Sequence, residues 1–396
     1  MKTTISFNSI ITLFLLAFIL FITAPLGLLE HDLISRYDTA DSRTLFADVA
    51  PIDLTIHIPD GVHETDSIFR TNTLHRFGTG RFNYHIHEVE HDCDSNSCSS
   101  SSSSSSNNSN NNSTDNLPRL SPCLAITKSR GRCPHDALKC KYPQCKTMIA
   151  GDEYCRLTTF DVRGYYSHNE NNSKHQAYLP LGPRFDSWSA LQQSSQSDMM
   201  KPPSSRRYAF NAIFSISTGG GRYILANQIR EHDGNINTTI TLPIYSSLTQ
   251  RWTAMTQVDN VHPTKLTPQT YMEVVLDSIF TLSPGGHNPE CFRLYEAVEA
   301  GSIPVIVTND LYSTMNGNCL EPLYHWRDAP IVVLDSWEEV YPTVERLVGD
   351  ITALDTMQND LRVWYDRYMR KMVREFEDFM MVPSLVEDEI ETNAST

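Results

Sequence analysis

Arg293 and Glu296 stand three residues apart in "SPGGHNPECFRLYEAVEAGSIPVIV", which runs from Ser283 to Val307. On a helix that spacing makes the two side chains neighbours. A guanidinium there can clamp a diphosphate, and a carboxylate can hold the two hydroxyls of a ribose. Just upstream, Pro284-Gly285-Gly286 turns the chain with backbone that a ligand can approach closely. Asn288 suits an N-cap, Pro289 the first helical position and Gly301 the residue past the last turn, so the pattern predicts a helix from Pro289 to Ala300. Cys291, Leu294, Tyr295 and Val298 form its sheet-facing stripe. Such a helix start, at the carboxyl end of a parallel strand, favours anions. The simpler reading of Arg293 and Glu296 is a surface pair worth roughly 0.2–0.5 kcal/mol.

The segments that must position this unit alternate. "YAFNAIFSI" from Tyr208, "TITLPIY" from Thr239, "IFTLS" from Ile279, "IPVIV" from Ile303 and "APIVVLD" from Ala329 read as strands. "RYILANQIRE" from Arg222 and "QTYMEVVLDS" from Gln269 read as helices between them. A further helix starts at Trp337, where Ser336 and Glu339 make a capping box. Leu354 to Met381 keeps apolar residues at helical spacing. The alternation implies an α/β domain with a Rossmann-type parallel sheet over residues 178–381, followed by an acidic tail, 382–396.

Upstream the texture differs. Residues 1–9 read as a cytoplasmic tail and 10–29 as a transmembrane signal anchor, since Thr3 to Leu29 carries no charge and Lys2 precedes while Glu30 follows. A cleaved signal peptide ending near Ala24 is the alternative. Residues 30–94 read as a lumenal stem and 95–116 as a disordered Ser/Asn-rich insert. Residues 117–177 read as a Cys-rich, disulfide-tied region on the acceptor side. Glycosylation sequons at Asn107, Asn111, Asn112, Asn171, Asn237 and Asn393 agree with a lumenal chain, as do nine cysteines. Cys291 and Cys319 flank one strand–helix unit, and a disulfide between them is expected. A net charge of −15 without a basic cluster excludes nucleic-acid binding.

"SPGGHNPECFRLYEAVEAGSIPVIV" resembles the signature of the exostosin-like glycosyltransferases, an Arg-x-x-Glu-Ala helix followed by a Gly-x-Ile-Pro-Val strand. "YLPLG" at Tyr178, "RRYAFNAIFSI" at Arg206, "GNC" at Gly317 and "DAPIVVLDSWEEV" at Asp328 extend the likeness over about residues 178 to 380. The resemblance implies a GT-B-like architecture with this half as donor domain, and inverting transfer in the Golgi without metal or other cofactor. It implies a UDP-sugar donor, UDP-xylose in the first place, and a glycan or glycoprotein acceptor; galactose, arabinose or glucuronic acid are the alternatives. By motif position Arg293 would neutralise the departing diphosphate, Glu296 would hold the ribose, and Gly285 and Gly286 would admit the phosphates. Asn288 and Glu290 stand beside them as further nucleotide-sugar-binding candidates. Two features depart from the family: Phe214 stands where relatives carry glycine, and the N-terminal half is atypical and Cys-rich, naming no catalytic base.

Other signals carry less. "HIHEVEHDCD" packs His85, His87, His91, Cys93 and Asp94 closely enough to suggest a transition metal, but polar surface residues are the simpler reading and no metal is expected. Gly219-Gly220-Gly221 lacks the Lys-Ser/Thr of a phosphate loop and reads as a turn before a helix. Trp337, Trp364 and Tyr365 read as packing residues. The rival reading of another class is a lumenal or extracellular binding protein on a degenerate glycosyltransferase domain, prompted by the unusual N-terminal half.

Overall fold

The structure, a computed structural model, describes residues 50–59, 73–89, 121–127, 135–149, 161–163, 177–195, 200–216, 220–233, 243–249, 266–286, 290–307 and 323–382. Everything below concerns the compact unit from Pro51 to Thr396. The expected anchor at 10–29, the 95–116 insert, all six sequons, Asn288, Cys319, and His91, Cys93 and Asp94 lie outside the described residues. Among the described residues, no helix is long and apolar enough to cross a membrane.

The N-terminal half corrects the expectation of a stem and an irregular Cys-rich piece. In β1 (Ile52–Pro59), Leu54, Ile56 and Ile58 are buried while Asp53, Thr55 and His57 alternate with them on the other face. β2 (Phe82–Val89) pairs with it in parallel, Ile52 opposite Phe82 and His57 opposite His87. Between the two lies the short helix α1 (Thr73–Phe77). β3 (Cys123–Thr127) and β4 (Lys146–Ile149) are buried along their whole length, as central strands of a parallel sheet are. α2 (His135–Lys141) joins them, and a Cys123–Cys145 disulfide ties the start of β3 to the turn before β4. β5 (Val162–Arg163) and β6 (Ala177–Tyr178) complete an all-parallel sheet in the order β2-β1-β3-β4-β5-β6.

The second sheet is the expected one, and it too is wholly parallel, in the order β11-β10-β9-β7-β8. α3 (Phe185–Ser195) leads from the first sheet toward it. β7 (Tyr208–Ser215), α4 (Gly220–Asp233), β8 (Tyr245–Thr249), α5 (Pro268–Leu276) and β9 (Ser278–Leu282) follow in turn. α6 (Phe292–Glu299), β10 (Ile303–Val307) and β11 (Val332–Leu334) close the sheet. The expected capping box does not form. Ser336 precedes a single 3-10 turn without a side-chain cap bond, Glu339 Oε2 instead accepts from the Asp335 amide at 3.4 Å, and α7 (Val340–Val348) starts one turn later.

α8 (Ile351–Met381) is the long amphipathic helix, begun by Asp350, whose carboxylate accepts from the Ala353 amide. Its buried stripe includes Leu354, Leu361, Tyr365, Met369, Met372, Phe376 and Met380. It packs against α6 and α7 of the second sheet's half and against α1 and β6 of the first. Near its end the buried Glu377 accepts from the Thr79 amide at 3.2 Å, from Thr79 Oγ1 at 2.5 Å and from the Tyr84 hydroxyl at 2.6 Å. On the other side of α1, Arg76 grips Glu299 of α6 with two hydrogen bonds, 2.8 and 3.1 Å, and Tyr365 donates to the same carboxylate at 3.1 Å. The two halves are thus joined by hydrogen-bonded charge as well as by apolar packing.

Candidate functional site

Strand order locates the site. β7 and β9 are neighbours, yet the chain leaves β7 for β8 on one side and leaves β9 for β10 on the other. A crevice opens at such a switch point, beyond the carboxyl ends of the strands. A cleft of about 380 Å³ lies there, lined by Ile213, Phe214 and Ser215 at the end of β7 and by Cys291, Phe292, Arg293 and Glu296 at the start of α6. Leu266, Pro268 and Tyr271 at the start of α5, Arg222 in the first turn of α4, and Arg184, Asp186 and Ser187 entering α3 complete it.

Local sequence explains the placement. Thr267 caps α5 by accepting from the Thr270 amide at 3.1 Å, with Pro268 next, and so Tyr271 falls in the first turns facing the cleft. α6 ends in a Schellman motif: Gly301, at φ 68°, donates to the Val298 carbonyl and Ser302 to that of Ala297. Its start differs from the expectation. Cys291, with extended backbone at φ −138° and ψ 160°, holds the N-cap position and the helix begins at Phe292, without a side-chain cap bond. The N-cap residue itself thus offers the first-turn amides of α6 no side-chain acceptor.

Arg293 and Glu296 come together on the cleft wall. Glu296 is only 4% exposed; its Oε2 accepts from the Tyr271 hydroxyl at 2.7 Å, and its Oε1 finds no hydrogen-bond partner among the described residues. The Nε and Nη1 of Arg293 are likewise buried and unpartnered among the described residues, with the guanidinium carbon 5.9 Å from the centre of the Phe214 ring. Burial, and then the charge of Glu296, raises the Tyr271 hydroxyl well above the ordinary tyrosine range, so it stays a donor. A cleft that leaves two guanidinium nitrogens and a carboxylate oxygen unsatisfied among the described residues is suited to a ligand with both an anionic group and hydroxyls.

Three expectations need correction. Glu290 is not part of the cleft lining: its Oε1 accepts from Tyr178 at 2.7 Å, from Trp326 Nε1 at 3.0 Å, and from Tyr295. Tyr178, Tyr295 and Tyr368 meet around this buried carboxylate, and burial followed by its charge raises all three hydroxyls well above their ordinary value. Cys291 is a free thiol on the cleft wall rather than half of a disulfide with Cys319; it is half-buried at the N-cap of α6, where it lines the cleft and also packs against the core. The space above Gly286 is taken by protein: a Cβ there would lie 2.8 Å from Nη2 of Arg222. Arg222, only 8% exposed, also donates from Nε to the Gly285 carbonyl at 2.7 Å and from Nη1 to that of Ser215 at 3.1 Å.

Arg222, Tyr271, Arg184 and Asp186 are the cleft residues that sequence reasoning misses. The one available signal was Gly219-Gly220-Gly221, which marks a helix start at the end of β7 but does not single out the arginine behind it. His85 and His87 lie in β2, His85 Nε2 at 2.9 Å from Asp53 Oδ1 and the His87 ring 5.9 Å from that of His57. No group of three or more metal-ligating side chains gathers among the described residues.

Residues 191–382 match the family model described as RXYLT1 C-terminal domain. Ribitol-5-phosphate xylosyltransferase 1 of Homo sapiens is 24% identical over 185 residues, covering 44% of this chain and 38% of that protein. The Danio rerio protein of the same name is 30% identical over 122 residues, covering 29% of this chain and 27% of its own length. The matched stretches thus span well under half of those relatives, 38% and 27%. Among solved structures, an alpha-glucosyltransferase in complex with UDP-glucose and DNA containing an abasic site aligns over 84% of this chain and 100% of its own, at 11% identity and a TM-score of 0.45, too low to establish a common fold. The C-terminal half of the chain is thus similar to the exostosin-like family through ribitol-5-phosphate xylosyltransferase, as its motif suggests.

Proposed function

We propose that this protein is a glycosyltransferase that takes a sugar from a UDP-sugar, UDP-xylose in the first place, and passes it with inversion to a glycan or glycoprotein acceptor. One observation carries the reading: Arg293 and Glu296 present charged atoms that are unsatisfied among the described residues to a cleft at the switch point of a parallel sheet. That pairing fits a nucleoside diphosphate, with Arg293 on the phosphates and Glu296 on the ribose hydroxyls. In a direct displacement the acceptor hydroxyl attacks the anomeric carbon while the bond to the diphosphate oxygen breaks. Negative charge then grows on the leaving UDP, where a pre-placed guanidinium stabilises it more than it stabilises the intact donor. With arginine in that role the transfer is metal-independent. The two all-parallel sheets and the closing helix α8 agree with a GT-B-like architecture, the second sheet holding the donor.

The name of the relatives supports xylose as the sugar, and galactose, arabinose or glucuronic acid remain the competing donors. The segment at residues 10–29 and the sequons support a single-pass type II protein of the Golgi membrane with the catalytic part lumenal. The binding-protein alternative drew on the unusual N-terminal half; with a six-stranded parallel sheet there, that ground is gone. The test is UDP release by the purified chain across a panel of UDP-sugars, with Arg293→Ala beside it. Release from UDP-xylose that the substitution abolishes is the expected result. Silence across the panel, with no UDP binding, would overturn the reading.

A further inference from the structure

Two oxygens of one carboxylate meet different surroundings in this cleft. Glu296 stands on α6, and the Tyr271 hydroxyl reaches across from α5 to donate to its Oε2 at 2.7 Å. Little freedom remains on the α5 side. The Tyr271 amide donates to the Thr267 carbonyl at 2.9 Å, and the ring packs against the apolar cluster that Ala190 and Leu191 of α3 form with Met272 and Val275 of α5. Glu296 alone would be less constrained: rotation about the last bond of a glutamate side chain, a broad two-fold torsion, exchanges its two alike oxygens. The bond from Tyr271 ends that equivalence. It occupies Oε2 and leaves Oε1, in a side chain only 4% exposed, without a hydrogen-bond partner among the described residues.

We infer that Tyr271 is a positioning residue of the nucleotide site, one that sets the plane of the Glu296 carboxylate so that Oε1 meets the ribose hydroxyls. The inference rests on the UDP-sugar reading and deepens it. Tyr271 acts through Glu296 and need not touch the nucleotide. It holds in advance the acceptor geometry that a ribose would otherwise have to select from a turning carboxylate, and pre-organisation of that kind adds affinity without a new contact. The gain reaches only a ligand that carries the hydroxyls. A nucleotide lacking them gains nothing from Tyr271, so the residue governs discrimination rather than the hold on the phosphates.

The alternative is a wall residue only, whose loss loosens the cleft for every nucleotide alike. Calorimetric titration of the full chain with UDP and with its 2′,3′-dideoxy analogue separates the two roles. Tyr271→Phe keeps the ring and removes the donor. It is expected to lower the ratio of the two affinities about tenfold, through weaker UDP alone. Retained binding of the analogue also shows that the variant is folded. In a Glu296→Gln background the same substitution should lower the ratio no further, as a residue that acts through Glu296 requires. If Tyr271→Phe does not fold, a ring-fluorinated tyrosine in place of Tyr271 answers instead: its fluorine resonance should move further with UDP than with the analogue. Equal losses for both nucleotides, an unchanged ratio, a further fall in the Glu296→Gln background or equal fluorine shifts would overturn this assignment and leave the donor reading intact. A native protein that binds UDP no better than the analogue would overturn it together with the ribose role of Glu296. Failure of the native protein to bind UDP at all would overturn the donor reading as well.

Discussion

Replacing Glu296 by glutamine should cost ligand binding and improve the fold at once. The carboxylate is 4% exposed and receives one hydrogen bond among the described residues, from Tyr271 at 2.7 Å. A buried charge with a single donor is under-satisfied, and an amide of the same shape keeps the Tyr271 bond while removing the charge. Relief of about 1–2 kcal/mol is the expected scale, seen as a higher thermal midpoint by a few degrees. Binding moves the other way. Two ribose hydroxyls donating to a carboxylate contribute about 1.5 kcal/mol each, about tenfold apiece in affinity. The native protein should therefore prefer UDP to its 2′,3′-dideoxy analogue by about a hundredfold, and Glu296→Gln should bring that ratio close to one. Calorimetric titration of both nucleotides into both proteins, with thermal melts alongside, reads the two effects. A variant that melts lower and keeps the native preference would refute the reasoning, since Glu296 would then be a structural carboxylate.

Three further outcomes follow from other contacts. Cys291 is a free thiol on the cleft wall, so alkylation by a maleimide should abolish UDP binding, and prior UDP should protect the thiol; peptide mass spectrometry checks both. Arg76→Ala leaves Glu299, whose side chain is 8% exposed, with only the Tyr365 hydroxyl among its described bonds, and urea unfolding should show a loss of about 2 kcal/mol. His325 is pushed down to about 4 by burial and then by the charges of Lys371 and Arg327, so the unfolded chain, at 6.5, takes up the proton first. Stability is therefore whole above the unfolded value and falls as pH drops toward 4, by at most about 3 kcal/mol. His325→Phe, which keeps a ring stacked on Tyr178, should flatten that part of the melting curve against pH; an unchanged slope would remove His325 as its source.

The second sheet was legible because its strands are continuous apolar runs: "IFTLS" and "IPVIV" are buried at every strand position. The first sheet was not, for two reasons that its residues display. β2, "FNYHIHEV", is an edge strand with Asn83, His85, Ile86 and His87 exposed, so half its pattern is polar. β5 and β6 are two residues long, too short for any periodicity. In the site, Arg293 and Glu296 could be read because one helix carries both. Glu290 could not be placed, because its donors Tyr178 and Trp326 lie 112 residues before it and 36 after it in the chain. Arg222 belongs with Glu290 here, its Gly285 partner being 63 residues away. Nothing local distinguishes a helix arginine that turns inward from one that meets solvent.

Glu377 gives the molecule an order of completion. The Thr79 amide and hydroxyl that it accepts from lie 298 residues upstream, in the loop between α1 and β2. A ribosome adding about 5–20 residues each second therefore finishes the first strands well before it supplies the carboxylate that fastens them. During that interval the loop's donors are met by water, and the face of α1 that α8 will cover stays open to other chains. The first half is made early and locked last, so its quality control falls to whatever attends the nascent chain, and a stop placed only a few residues short of Glu377 would be felt three hundred residues before it.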